Sequence, residues 1–250
     1  MKGRYSLALA ALGLAAFLLF WEALPYFGIV PAAFLPPPSA LPEAFMREVR
    51  AGIWQQMLVL SLRHYLIGLA IGGILGVTLG VITGIFKPLE DSLSWVVRIL
   101  RPIPGLAWVP FAILWFGVNP SGAVFIIAIG VLWISYFAAL GAVQAVDRDL
   151  IELADAFEFR WWFQKLYKVI LPAAAPGILA GLRTALGQAW MAVVAAEIFG
   201  VPGLGSRMTQ ASNLLASDVV VVYMATMAFL YGVIDAMFVA VQNWLLRWKR

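Results

Sequence analysis

The 250-residue sequence has no cysteine, one histidine (His64) and few charges, with Asp, Glu, Lys and Arg making up 12% of the chain. The first absence excludes disulfides, thiolate metal sites and cysteine nucleophiles. The second excludes a histidine-rich metal centre. The third is about half the charged fraction of an ordinary soluble domain. There is also no G-x-x-x-x-G-K run followed by Ser or Thr, so the loop that cradles nucleotide phosphates is missing. What is there is apolar: 63% hydrophobic residues, eleven Trp and a mean hydropathy of +0.92. That composition describes a polytopic membrane protein. Its net charge of +4 reads as a bias of membrane loops and not as a nucleic-acid surface.

Six apolar segments are long enough to cross a bilayer, at about 6–28, 57–86, 93–117, 121–146, 173–199 and 219–246. None alternates as a barrel strand does, and backbone groups in lipid must bond within their own segment, so all six are expected to be helices. Lys2 and Arg4 ahead of Leu7 to Trp21 also fit a secretory signal peptide, but no clear cleavage site follows and the run reads as a retained first helix. With the N-terminus inside, most loop Lys and Arg fall on the cytoplasmic side, among them Lys87, Arg148, Arg160, Lys165, Lys168 and Arg247. The outside receives Arg47, Arg50 and Arg207. The chain thus divides into 1–56, a first span with an external proline-rich and amphipathic segment, and 57–250, a five-helix core with a cytoplasmic loop at 147–172.

Two spans carry further pattern. Gly68, Gly72, Gly76, Gly80 and Gly84 recur every fourth residue of the second, a stripe on which another helix can pack closely. In the third, Pro102, Pro104 and Pro110 interrupt the helix around Gly105. Broken helices at membrane depth line cavities or are buried in protein, so these prolines mark a possible pathway. Arg63 and Glu197 fall at similar depth near the outer ends of their spans. Either they pair as a brace on an outer gate, or each reaches the headgroups alone.

The loop at 147–172 is a charged island in this apolar chain, holding Glu152, Asp155, Glu158, Arg160, Lys165 and Lys168. Asp147 and Asp149 precede an apolar periodicity and signal a helix start. A second short helix is expected over Trp161–Ile170, with Lys165 and Lys168 in its last turns and Pro172 opening the fifth span. Phe157, Phe159, Trp161, Trp162 and Phe163 are more aromatic than a solvated loop needs, and they predict docking to a groove or to headgroups.

The stretch "DLIELADAFEFRWWFQKLYKVILPAAAPGILAGLRTAL" resembles the EAA loop of bacterial ABC importer permeases, the binding-protein-dependent transport family. Glu152, Ala154, Ile170, Leu171 and Pro172 match its pattern. "RPIPGLAWVPFAILWFG", "AAEIFGVPGLG" and "ASDVVVVYM" are similar to the branch that imports nitrate, sulfonates and taurine. There are two departures: the family glycine falls on Glu158 or Phe159, and the spacing from Glu152 to Pro172 is one residue long.

The resemblance implies an all-α, six-helix permease of the type I importer fold in a bacterial inner membrane, with both termini cytoplasmic. It implies a coupling helix at about 151–159, holding Glu152, Leu153, Ala154, Asp155, Ala156, Phe157, Glu158 and Phe159, that docks on a cytoplasmic ATPase. It further implies a second permease copy, two ATPase subunits binding ATP and Mg, an extracytoplasmic binding protein and a small anionic or zwitterionic solute. No cofactor and no catalysis are expected of this chain itself. A stand-alone secondary transporter would show inverted repeats and embedded ionisable residues. A membrane enzyme would need a Ser–His arrangement that spacing does not supply.

Overall fold

The computed structural model describes residues 2–157, 159 and 161–249, and the regular structure among them is entirely helical. Helix α1 spans Lys2–Tyr26, and a short amphipathic α2 spans Leu41–Arg50. Then come α3 (Ile53–Ile85), α4 (Lys87–Leu100), α5 (Val109–Phe116) and α6 (Pro120–Gln144). Helices α7 (Arg148–Ala156) and α8 (Trp162–Lys165) lead to α9 (Leu171–Ile198), α10 (Leu204–Asn213) and α11 (Ser217–Leu245). Five helices are long and apolar enough to cross a bilayer, and α4 with α5 makes a sixth crossing if that bent pair is one span.

The third span, expected as an apolar run over 93–117 interrupted at its prolines, is broken there and starts earlier, at Lys87. Its two halves meet at 85°. The break falls at Pro104, which is extended (φ −65°, ψ 148°), and a 3-10 turn over Gly105–Trp108 leads into α5. Arg101 keeps helical angles although Pro102 follows it. Pro110 breaks nothing: it sits in the first turn of α5, where a missing N–H costs no helical bond.

At the centre, α6 lies between α3 and α9. A Cβ on Gly72, Gly76 or Gly80 would lie 2.3–2.4 Å from a backbone carbonyl oxygen of α6 (Ala128, Leu132 and Tyr136 respectively). Gly68 and Gly84 press on the side chains of Ile127 and Val143. The absence of side chains brings the two backbones into contact at Gly72, Gly76 and Gly80, which is how helices associate where lipid removes the hydrophobic drive. On its other side α6 receives Gly177 and Gly181 of α9, set against Ala142 and Ala138. Helix α11 is joined to α9 by a two-pronged ion pair, Arg183 Nε to Asp235 Oδ1 and Nη2 to Oδ2, both at 2.7 Å. Helix α1 stands off the bundle with Leu12, Phe17 and Leu19 exposed, and its end is tied down where Ser39 donates to both oxygens of Glu22.

Candidate functional site

One end of the bundle carries α7 and α8. The Asp147 carboxylate accepts the Asp149 N–H at 3.1 Å and so satisfies a donor that the first turn of α7 leaves free. Leu150, Leu153, Ala154 and Phe157 follow at helical spacing. Helix α7 rests on the turn at 166–170, and Ala154 is buried at 3% exposure. Leu153 and Phe157 point away, 57% and 69% exposed, with Glu152 and Ala156 exposed beside them. The helix closes when Phe157 N–H bonds to Leu153 O and Phe159 N–H to Ala154 O. It therefore occupies 148–156 and not the expected 151–159, because the cap at Asp147 starts it a turn earlier. Glu158, and the side chain of Asp155, lie outside the described residues.

The expected second loop helix is not separate. Residues from Trp162 to Ile198 form one continuous rod. Pro172 has no N–H to give, and the chain answers with a π turn over Leu166–Ile170, closed by Leu171 N–H to Leu166 O. Ile170, Leu171 and Pro172, all half-buried, thus lie inside a helix that runs from the loop through the bundle. The Trp162 ring meets Phe86 edge-on at 5.6 Å, which sets the start of the rod against the α3–α4 junction. Lys168 Nζ lies 5.0 Å from the centre of the Phe159 ring.

At the opposite end, α10 closes the bundle over a buried carboxylate. Glu197 has 0% exposure. It accepts the Ser61 hydroxyl (2.7 and 2.8 Å) and the Gly205 N–H (2.9 Å), and His64 Nδ1 lies at 3.0 Å. Ser61 in turn accepts the Leu204 N–H at 2.8 Å. Gly203 and Gly205 permit this closure: a Cβ on Gly203 would stand 2.2 Å from the carboxylate carbon, and one on Gly205 3.0 Å from Glu197 Cβ.

The suggested partnership of Arg63 with Glu197 is not what forms. One helical position is about 100° of rotation, which points Arg63 to the exposed surface while Ser61 and His64 face inward. Ser61 donates to the carboxylate and not to the imidazole, so no activated serine results. No group of three or more His, Cys, Asp or Glu capable of holding a metal occurs among the described residues.

A second polar cluster anchors the same end. Arg207 of α10 grips Glu48 of α2 with two bonds (3.0 and 2.6 Å), and Tyr223 of α11 donates to the same carboxylate at 2.9 Å. The bonded guanidinium holds the Glu48 carboxyl below the usual carboxylate range, against the opposing effect of burial.

Residues 72–250 match the family described as binding-protein-dependent transport system inner membrane component. The chain belongs to this permease family. The taurine transport system permease protein TauC of Escherichia coli is 30% identical over 245 residues, covering 94% of this chain and 87% of that protein. The bicarbonate transport system permease protein CmpB of Synechococcus elongatus is 32% identical over 253 residues, covering 94% and 88%. A structure of the MetNI methionine ABC transporter in an inward-facing conformation shares the fold, with a TM-score of 0.64 at 20% identity over 80% of this chain and 97% of that one. The permease is therefore a membrane-spanning subunit of the ABC importer class and not itself an enzyme, since ATP hydrolysis comes from a separate subunit.

In this permease the loop, the bent span and the glycine stripe were visible in sequence. Ser61, His64, Gly203 and Gly205 were missed as partners of Glu197. The available signal was the pair Ser61 and His64, three apart on one face of α3, opposite the single acidic residue at the end of α9.

Proposed function

We propose that this permease, paired with a second copy of itself, forms the path by which a small anionic or zwitterionic solute enters a bacterial cell across the inner membrane. The end of the bundle that carries α7 faces the cytoplasm and the end that carries α10 faces out, with both chain termini inside. Two ATPase subunits bind ATP and Mg at the cytoplasmic side, and an extracytoplasmic binding protein delivers the solute. The relatives named for taurine and bicarbonate support the solute class, because both compounds carry an oxyanion head.

The observation that carries this reading is α7. A short helix in a membrane protein that buries Ala154 on its own chain and presents Leu153 and Phe157 outward has an unfilled apolar surface rimmed with charge. A groove on an ATPase subunit fits it, with Phe157 as the apolar knob and Glu152 on the polar side. Motion of that groove reaches the membrane through the rod from Trp162 to Ile198, roughly 55 Å long at 1.5 Å per residue. The rod's π turn is the place where it can flex.

Glu152→Lys and Phe157→Ala test the assignment in proteoliposomes containing the whole transporter. Both are expected to weaken ATPase binding or to let ATP turn over without uptake, while the spans stay folded. Normal, coupled uptake in both variants removes α7 from the coupling role.

A further inference from the structure

The elbow of the bent span holds a cleft of about 380 Å³ that the coupling function does not use. Arg101, Gly105, Gly130, Trp133, Phe137 and Gln188 are among the residues lining it. They come from α4, the turn before α5, α6 and α9, so the cleft lies where the two halves of the broken span meet the rod. Gly105 faces α6, where a Cβ would make ordinary contact with Gly130 Cα at 3.6 Å.

Among the described residues, Arg101 is the only charged one lining the cleft. Its guanidinium lies 4.4 Å from the centre of the Phe137 ring, and among the described residues no carboxylate pairs with it. An arginine set over a ring keeps its N–H edge available, and that edge matches the two oxygens of an oxyanion. Two further polar groups line the same space: the Gln188 amide and the Trp133 indole, whose buried N–H has no acceptor within the protein. Arg101 is exposed at the end of α4, so its guanidinium is open to a ligand in this space. Arg101 and Phe137 also line a second cavity of about 590 Å³, shared with Arg98 and with Glu90, whose carboxylate accepts Gln144 Nε2 at 2.8 Å.

Resting on the importer reading above, we infer that this elbow is the solute-recognition site within the permease. Arg101 binds the oxyanion head of the solute, a sulfonate or carboxylate, and Gln188 and Trp133 supply further hydrogen bonds. The broken span then has a purpose: Pro102 and Pro104 end α4 where Arg101 is brought level with Phe137 and Gln188. Arg63, an exposed arginine that lines a different cleft, lies near the α10 end beside His64 and has no such role.

Ethanesulfonate is the probe for the test, with the permease assembled with its ATPase and binding protein in proteoliposomes. Arg101→Gln is expected to lower uptake about tenfold or more, the size of a lost hydrogen bond to a charged group. Arg101→Lys keeps more uptake than Arg101→Gln, and Arg63→Gln keeps all of it. Ligand-observed NMR on the permease–ATPase complex without the binding protein reads the cleft directly: saturation transfer to ethanesulfonate in the parent, and none in Arg101→Gln.

Parent-level uptake or transfer in Arg101→Gln overturns the inference while leaving the importer reading intact. Should Arg101→Gln not assemble, Gln188→Leu and Trp133→Phe carry the test, and normal uptake in both overturns it. A parent complex that shows no transfer to ethanesulfonate overturns it as well. A defect in coupling alone abolishes uptake but leaves the NMR result standing, so the two readings fail separately.

Discussion

Glu197 and His64 lie 3.0 Å apart inside the α10 end of the bundle, on a carboxylate with no exposed surface. The helix that supplies His64 also supplies Ser61 to the same carboxylate, and the first N–H groups of α10 complete the arrangement. Helix α3 is thus joined at one point to the distant turn between the end of α9 and the start of α10.

Glu197→Ala should therefore loosen this end of the bundle. It removes the acceptor from Ser61, Gly205 and His64 together, at a cost of about 1–3 kcal/mol for each buried group left unsatisfied. Glu197→Gln keeps the shape and should cost less, about 1–3 kcal/mol. Thermal unfolding in detergent ranks the variants, and Arg63→Gln should sit beside the parent. Equal losses for Arg63→Gln and Glu197→Ala would contradict the network as described.

The glycine stripe makes a sharper contrast within one helix. Gly76→Ala places a methyl 2.4 Å from the Leu132 carbonyl oxygen and 3.0 Å from the Tyr136 nitrogen, backbone atoms that cannot move aside alone. The expected loss is about 1–3 kcal/mol, and larger side chains should prevent assembly of the bundle. Gly73→Ala meets only the Leu182 side chain at 3.7 Å and should be neutral. Paired stability measurements on these two variants check the point.

The Glu48–Arg207 pair predicts acid sensitivity at the α10 end. The folded Glu48 carboxyl titrates below its ordinary value of 4.5, so its stabilising contribution is complete above that pH. It is lost as pH falls further through the folded value. Glu48→Gln should flatten this part of the stability profile. Glu48→Ala should cost about 3 kcal/mol near neutral pH by stranding Arg207 and the Tyr223 hydroxyl. Hydrogen exchange of α10 as a function of pH reports both effects.

The absence of cysteine allows single reporters to be placed without background. Cysteines replacing Ser39 and Ser206 test the outer assignment. The one at 39 should react from outside with an impermeant thiol reagent, because Ser39 lies on the surface segment beside Glu22. The one at 206 should react slowly, since Ser206 is buried at 8% exposure and bonds to Gly203. A cysteine replacing Gln164 should react only from inside, and its labelling in intact cells would reverse the orientation.

Sequence alone determined the membrane class, the all-helical architecture and the exposed helical loop that follows α6. Those properties follow from hydropathy and local rules: apolar length, backbone satisfaction in lipid, caps, and prolines that remove hydrogen bonds. It also announced the glycine stripe, since a four-residue recurrence is a local pattern. What sequence left open was which side chains meet. Arg63 and His64 are neighbours in the chain and similar in depth, and only the rotation of α3 against α6, set by Gly68 to Gly84, turns one outward and the other onto Glu197. The 85° turn of the third span likewise depends on where α6 and α9 leave room for it, and that turn brings Arg101 beside Phe137 and Gln188. Pairings across more than a hundred residues rest on packing between helices, and packing is a property of the assembled bundle.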